Sequence, residues 1–180
     1  HFFTVNAPVE KASDLGKMKI RVPQIPVYLE AIKGLGAIVT PVAYAETYQA
    51  LQQGVVVGME GALDITWAMK FQEVTKYLSM VYWTSGLGPV AINKNFYNSL
   101  SPEHQEIITT AIKESGEYNT QLTLELDESL VKKFEEAGLV VSYPDLTSFK
   151  EAAKASIPQY EHLWGGNDLY ARLQAEVSGQ

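Results

Sequence analysis

The chain has 180 residues, 46% hydrophobic and 19% charged, a composition that predicts a soluble globular protein of one domain or slightly more. The formal net charge of −7 disfavours nucleic-acid binding, which needs a basic surface, and no apolar run approaches the roughly 20 residues that span a membrane. The lack of cysteine excludes disulfides, thiolate catalysis and thiolate metal ligands.

The first half of the chain alternates short apolar strands with amphipathic helices. The predicted strands are residues 5–8, 19–22, 37–42, 55–57 and 77–83, and the predicted helices are residues 26–35, 44–54 and 62–74. The three valines at 55–57 are typical of a parallel strand that is covered on both faces. The alternation predicts a doubly wound α/β domain with a mostly parallel sheet.

The second half contains one unusually long predicted helix. Residues 101–103, Ser-Pro-Glu, combine an N-cap, a first-turn proline and an acid that complements the helix dipole. Apolar residues then recur every three or four positions from 107 to 134. One helix over 102–137 would be roughly 50 Å long, so we expect it to connect two lobes. The elements predicted around it are a hinge or crossover at 85–89, a strand at 89–93, a short helix at 96–100, a strand at 139–143 and a helix whose capping box begins at Ser148.

Signals for an enzyme are weak. The three histidines, at positions 1, 104 and 162, are far apart, and no nucleophile elbow, phosphate-binding loop or zinc motif occurs. Glu60 and Asp64 are four positions apart at a predicted helix start, where dipole complementation and contact with water are their ordinary roles. We therefore predict no catalytic residue, metal or cofactor, and an α/β enzyme using these two carboxylates is the less favoured alternative.

Arg21 is the strongest candidate for a binding residue. It lies in a short apolar strand that Pro23 ends. A buried arginine there needs an anion, because an unpaired interior charge is costly, although an exposed edge-strand arginine also fits the local pattern. The carboxyl end of a strand is where open α/β sheets bind ligands, and a guanidinium holds a carboxylate through two parallel hydrogen bonds. Gln24, Tyr44 and Trp83 are predicted to supply neighbouring polar and aromatic walls.

Seven segments together resemble the C-terminal half of the periplasmic solute-binding proteins of TRAP transporters. They are residues 16–23, 35–37, 41–48, 50–58, 70–78, 100–106 and 137–141. By this resemblance, Arg21 falls on the family's carboxylate-binding arginine, and Gly61 falls where many members carry an asparagine that supports the ligand. Val57 replaces a common aspartate, and His1 lies near a position that is often a second arginine. With Ser85 from the predicted hinge, the expected ligand-binding set is Arg21, Gln24, Tyr44, Gly61, Trp83 and Ser85.

The resemblance also implies a fold and a function. The family has two α/β lobes, joined by hinge strands and a long helix, that close over a small organic acid and deliver it to a membrane permease. The implied partners are therefore an organic acid and TRAP permease subunits, the implied compartment is the periplasm, and no catalysis is expected. A ligand-sensing module of a receptor would use the same cleft and is the alternative from another class.

The expected domain organisation follows from the same resemblance. Residues 1–86 and 127–180 are expected to form the second lobe, and residues 87–126 a part of the first lobe. The chain starts at His1 without an initiator methionine or a secretory signal, so we expect a fragment or processed chain whose N-terminal lobe is largely missing. Apolar residues of the long helix would then be uncovered, which favours self-association.

Overall fold

The computed structural model describes residues 1–84, 86, 88–164 and 168–178, which form one six-stranded sheet with helices packed against it. The strands are β1 (Phe2–Thr4), β2 (Lys19–Val22), β3 (Ile38–Pro41), β4 (Gly58–Glu60), β5 (Tyr77–Ser79) and β6 (Val140–Ser142). Their order in the sheet is β3-β2-β4-β1-β5-β6. The pairs β2–β3, β2–β4 and β5–β6 are parallel, whereas β1 is antiparallel to both of its neighbours. The predicted α/β class is confirmed, and the sheet is mixed because of β1.

The helices follow the predicted alternation. The α-helices are α1 (Pro26–Gly34), α2 (Thr47–Gln52), α3 (Leu63–Ala68), α4 (Lys94–Ser99), α5 (Pro102–Glu136), α6 (Thr147–Ser156) and α7 (Leu169–Ser178). Short 3₁₀ helices cover Ala12–Lys17, Tyr44–Glu46, Phe71–Glu73, Ile157–Gln159 and Glu161–Trp164. Within the described residues, no helix combines the length and apolarity needed to cross a bilayer.

Two hydrophobic clusters form the core, and neighbouring residues of β1 belong to different ones. Phe3 packs in a cluster with Met59 of β4 and with the α5 residues Leu130 and Phe134. Phe2 packs in a second cluster with β2, α1 and α6, whose buried members include Ile20, Val22, Ile32 and Phe149. Because successive side chains of a strand point to opposite faces, the two clusters cover the two faces of the sheet.

Helix α5 is a single helix, as its apolar stripe predicted. The Ser101 hydroxyl accepts a hydrogen bond from the His104 amide at 3.3 Å, and Gly138, with φ of 94°, follows the C-terminus in the left-handed conformation that glycine favours. Only its C-terminal part enters the core: Leu130 and Phe134 are buried, whereas no residue over 102–126 is. The helix therefore carries a long stretch that the described sheet does not cover.

Some predicted strands were wrong in position or extent. The first strand is β1, which precedes residues 5–8, and the valine run at 55–57 precedes β4. Gly54 has φ of 72°, and the amides of Val55 and Val56 both bond to the Ala50 carbonyl, so this run closes the end of α2 and leaves Val55 49% exposed. The predicted strand at 89–93 is absent, because these residues are exposed and pair with no strand.

Two helix predictions also needed correction. The helix expected over 62–74 breaks at Lys70, which has φ of 59° and separates α3 from the 3₁₀ turn that follows. The start of α6 uses Asp145, whose Oδ1 accepts from the Thr147 amide at 3.1 Å and from its hydroxyl at 2.8 Å. The Ser148 hydroxyl, the expected cap, instead accepts from the Ala12 amide at 3.1 Å and ties α6 to the first 3₁₀ helix.

Candidate functional site

Arg21 lies near the carboxyl end of β2, and its side chain is buried. Its neighbours Ile20 and Val22 belong to the second hydrophobic cluster, so strand alternation directs Arg21 to the opposite face of the sheet. The residue is only 2% exposed. Its Nε donates to the carbonyl oxygen of Val42 at 2.9 Å, which fixes the guanidinium against the residue that follows β3.

Glu60 is the anion that Arg21 meets within the chain. In the parallel pair of β2 and β4, Arg21 is in register with Met59, so Glu60 is one residue beyond it. Arg21 Nη1 lies 3.4 Å from Glu60 Oε1, and Glu60 is 8% exposed. Burial raises the pKa of the Glu60 carboxyl, and the positive charges of Arg21 and the His1 amino group oppose that shift. The pair is a buried ion pair with one long contact.

The surroundings of Glu60 differ from the sequence expectation. Glu60 was expected to complement a helix dipole and contact water, but it ends β4 and faces Arg21 because the strand begins three residues later than predicted. Asp64, its presumed partner in an enzyme, is exposed in the first turn of α3. The two carboxylates therefore occupy different environments, one buried and ion-paired and the other in water.

Tyr44 forms the aromatic wall beside the arginine. The Arg21 Cζ atom lies 5.0 Å from the Tyr44 ring centroid, a distance at which a cation is attracted to a ring face. The ring also packs edge-on against Phe71, with centroids 5.5 Å apart. Burial raises the pKa of the Tyr44 hydroxyl, and an interaction with the Thr66 hydroxyl opposes the shift. The hydroxyl oxygens of Tyr44 and Thr66 are both buried, and neither has a partner of good hydrogen-bond geometry in the described part of the chain.

Gly61 lies where a side chain has no room. A Cβ atom at this position would lie 2.7 Å from Thr66 Oγ1 and 3.2 Å from Met59 Cε. The Gly61 amide donates to the His1 carbonyl at 3.1 Å, which extends the pairing of β4 with β1 by one residue. Position 61 therefore contributes backbone to the site, and Thr66 occupies the adjacent space.

The other predicted ligand-binding residues are not gathered around Arg21. Gln24 is exposed just after β2. Trp83 packs against the second cluster, edge-on to Tyr28 at 5.3 Å between ring centroids. There it lines a cleft of about 350 Å³ together with Phe149 of α6. Ser85 lies outside the described residues. The structure thus brings together Arg21 and Tyr44. Gly61 is linked to them indirectly, because Thr66 adjoins position 61 and also interacts with the Tyr44 hydroxyl.

Sequence reasoning missed three groups of this site: the Glu60 carboxylate as the partner of Arg21, the Val42 carbonyl and the Thr66 hydroxyl. A buried arginine needs an anion, and a glutamate that ends a neighbouring parallel strand is a natural source of one. If the strand had been predicted at Gly58–Glu60, Glu60 would have been recognised as a candidate partner of Arg21. The contacts of Val42 and Thr66 depend on loop and helix geometry, for which the sequence pattern carries no signal.

The arrangement can hold an anion. Two of the hydrogen-bonding nitrogens of Arg21 are occupied, Nε by Val42 and Nη1 by Glu60, whereas Nη2 has no acceptor among the residues that the structure describes. A guanidinium fixed in this way is a preorganised donor for a carboxylate oxygen. No group of three or more potential metal-ligating side chains occurs in the described ranges.

Comparison with known proteins points to one family. The sequence model of the bacterial extracellular solute-binding proteins, family 7, matches residues 1–163. The sialic acid-binding periplasmic protein SiaP of Vibrio cholerae is 34% identical over 158 residues, which are 88% of this chain and 49% of that protein. The 2,3-diketo-L-gulonate-binding periplasmic protein YiaO of Escherichia coli is 33% identical over 147 residues, 81% of this chain and 45% of its own length.

A solved structure shows the same fold. The crystal structure of a TRAP periplasmic solute-binding protein from Actinobacillus succinogenes with bound L-galactonate superposes with a TM-score of 0.83 at 30% identity. The match covers 100% of this chain and 59% of that one. The chain therefore spans about half the length of the relatives it matches.

Proposed function

The chain belongs to the bacterial extracellular solute-binding protein family 7, and we propose that it captures a small organic acid by its carboxylate in the periplasm and delivers it to a TRAP-type membrane permease. The named relatives support the compartment and the ligand class, since two are periplasmic proteins named for acids and a structural neighbour holds L-galactonate. Transport requires capture and release of the acid without turnover, and this is the role we propose in place of catalysis.

The observation that carries the proposal is the state of Arg21. Its guanidinium is buried and held on two nitrogens, and its Nη2 lacks an acceptor in the described structure. Because Nε already donates to Val42, a ligand would bind through Nη2, alone or together with the second hydrogen of Nη1. Tyr44 would then border the bound carboxylate on the ring side of the guanidinium.

We further propose that the chain contributes one lobe and a part of another. Residues 1–86 and 127–180 would form the second lobe, and residues 87–126 would belong to the first. The burial pattern supports this division, because no residue over 102–126 of α5 is buried whereas its C-terminal turns pack against β1 and α3. The remaining ligand contacts, including those expected of Trp83 and Ser85, would form when the two lobes close.

The test is a binding screen that separates charge from shape. L-galactonate and sialic acid are titrated calorimetrically into the intact protein that contains both proposed lobes, with galactitol as the neutral analogue of galactonate. We expect binding of at least one acid and none of galactitol. An acid present at 100 times its dissociation constant would also raise the unfolding free energy by about 2.7 kcal/mol. Equal responses to the acid and to galactitol would contradict carboxylate capture.

A further inference from the structure

The Arg21 site already contains one carboxylate before a ligand adds another. Glu60 Oε1 lies 3.4 Å from Arg21 Nη1, and both side chains are nearly enclosed. A ligand carboxylate on Nη2 would share the same guanidinium and lie close to Glu60. We propose that binding of an organic acid at Arg21 is coupled to uptake of one proton by Glu60, so that the site captures the acid and a proton together. This inference rests on the proposed function.

The groups around Glu60 offer little positive charge for a second anion. The positive charges that act on Glu60 are Arg21 on β2 and the amino group of His1. Tyr44, beside Arg21, interacts with Glu60 and with Asp64 of α3, and Asp127 of α5 interacts with Asp64 and with the His1 amino group. Burial raises the pKa of Asp127, with Asp64 adding to the shift. The charged groups that α3 and α5 bring to this region are thus carboxylates, and they supply no counter-charge for an additional anion.

Proton uptake at Glu60 relieves this conflict. Two carboxylates that share one buried site do not both remain ionised, and the proton goes to the one that is held less strongly in its charged form. Burial already raises the pKa of Glu60, and a ligand that engages Arg21 weakens the attraction opposing that shift. The proton comes from solvent, and the Glu60 carboxylate becomes a neutral carboxyl whose O–H can donate a hydrogen bond.

The coupling fixes the sign of the pH dependence. Since the complex binds one more proton than the free protein, affinity increases as the pH falls through the interval between the pKa values of Glu60 in the free and bound states. Within this interval the dissociation constant changes by up to roughly tenfold per pH unit. Below it, both states are protonated at Glu60 and the dependence ends.

The experiment is calorimetric titration of L-galactonate, with sialic acid as a second probe, into the intact two-lobed protein in phosphate and in Tris at the same pH. These buffers differ in ionisation enthalpy, so the difference in observed heat counts the protons taken up. We expect uptake of a substantial fraction of a proton and an affinity that increases towards lower pH. Both effects should vanish in Glu60→Gln and persist in Asp64→Asn, which removes an exposed carboxylate close to the site.

The outcomes separate the two proposals. Binding without proton uptake and with pH-independent affinity would overturn the coupling and leave acid capture standing. Proton uptake that persists in a folded Glu60→Gln protein would also overturn it, because the proton would then go to another group such as His1. If Glu60→Gln does not fold, the two-buffer measurement on the unmodified two-lobed protein decides alone. Failure of both acids to bind would overturn the proposed function and this coupling with it.

Discussion

The Thr66 hydroxyl fills the space that a side chain at position 61 would need. A Cβ atom at Gly61 would lie 2.7 Å from Thr66 Oγ1, closer than such contacts normally occur. Thr66 is fully buried in α3 and also interacts with the Tyr44 hydroxyl beside Arg21. A change at position 61 therefore reaches the arginine through Thr66 and Tyr44.

We expect Gly61→Ala to lower the free energy of unfolding by about 1–3 kcal/mol, the usual cost of overpacking a closed site. Thr66→Ala removes the obstructing oxygen, so the double variant should recover part of the loss that Gly61→Ala causes in the unmodified background. Urea denaturation of the four proteins gives the coupling energy. Additive effects of the two substitutions would show that Thr66 does not limit position 61.

Removal of the Arg21 guanidinium should abolish most acid binding. A charge-assisted hydrogen bond contributes about 1.5–3 kcal/mol, so Arg21→Ala is expected to weaken binding at least tenfold. Arg21→Lys should recover only part of the affinity, because an ammonium group lacks the planar fork. Arg172→Ala is the matched control, since Arg172 is exposed in α7 and its contact with Asp168 is 3.9 Å long. Unchanged affinity in Arg21→Ala by calorimetry would remove Arg21 from the site.

The two ends of helix α5 should differ sharply in their tolerance of truncation. Phe134 is fully buried against Phe3, with ring centroids 5.2 Å apart, whereas Tyr118 is 69% exposed. Phe134→Ala should cost about 3–5 kcal/mol of unfolding free energy, and Tyr118→Ala less than about 0.5 kcal/mol. Chemical denaturation monitored by circular dichroism measures both. Similar costs would mean that the N-terminal part of α5 is packed in solution.

Glu60 should also make stability depend on pH in the absence of any ligand. Its pKa is raised in the folded protein, so the folded state binds more protons than the unfolded chain once the pH exceeds about 4.3. The unfolding free energy should then decrease as the pH rises from that value through the folded-state pKa of Glu60. Glu60→Gln should remove this component, and Glu46→Gln, at an exposed position, should retain it. Parallel pH profiles of the unmodified protein and Glu60→Gln would contradict a raised pKa.

The uncovered part of α5 and the neighbouring α4 should favour self-association of the chain. Phe96 and Ile107 are each 56% exposed, which places large apolar side chains in water. We expect light scattering to show association that increases with concentration and weakens in Ile107→Lys. Thr110→Lys introduces the same charge on an exposed residue of the helix without removing an apolar group. A monomer at all concentrations, or equal effects of the two substitutions, would count against this surface.

The sequence pattern was sufficient to predict those elements whose residues form a long, regular apolar stripe or a well-defined helix start. The apolar stripe and the Ser-Pro-Glu start predicted α5 as one helix, and the structure confirms it over Pro102–Glu136. The βαβ alternation predicted the class of the fold. Strand position failed at residues 55–57, because β-branched residues suit both a strand and a helix-closing turn, and only the partner strand decides between them.

In the candidate site, too, features set by neighbouring residues in the sequence were predicted, whereas contacts between distant segments were not. Arg21 was predicted to meet an anion because of its strand context, and the burial that made this necessary is observed. The identity of the internal anion depended on the register of β2 with β4, which the sequence pattern does not specify. The position of Trp83 against Tyr28 likewise depends on how the chain leaves β5, where Tyr82 adopts φ of 53°.

The central place of β1 bears on how the molecule assembles. Phe2 is in register with Glu60 on one side and Ser79 on the other, so β1 cannot be paired on both sides until the chain has been made as far as β5. In the described sheet, β1 also provides the only hydrogen-bonded connection between the β3-β2-β4 group and the β5-β6 pair. Such distant pairing slows folding, because the chain must close long loops before their contacts form. We therefore expect the sheet to be completed late in folding, and the Glu60 end of the candidate site to become ordered only when β1 has paired with both of its neighbours.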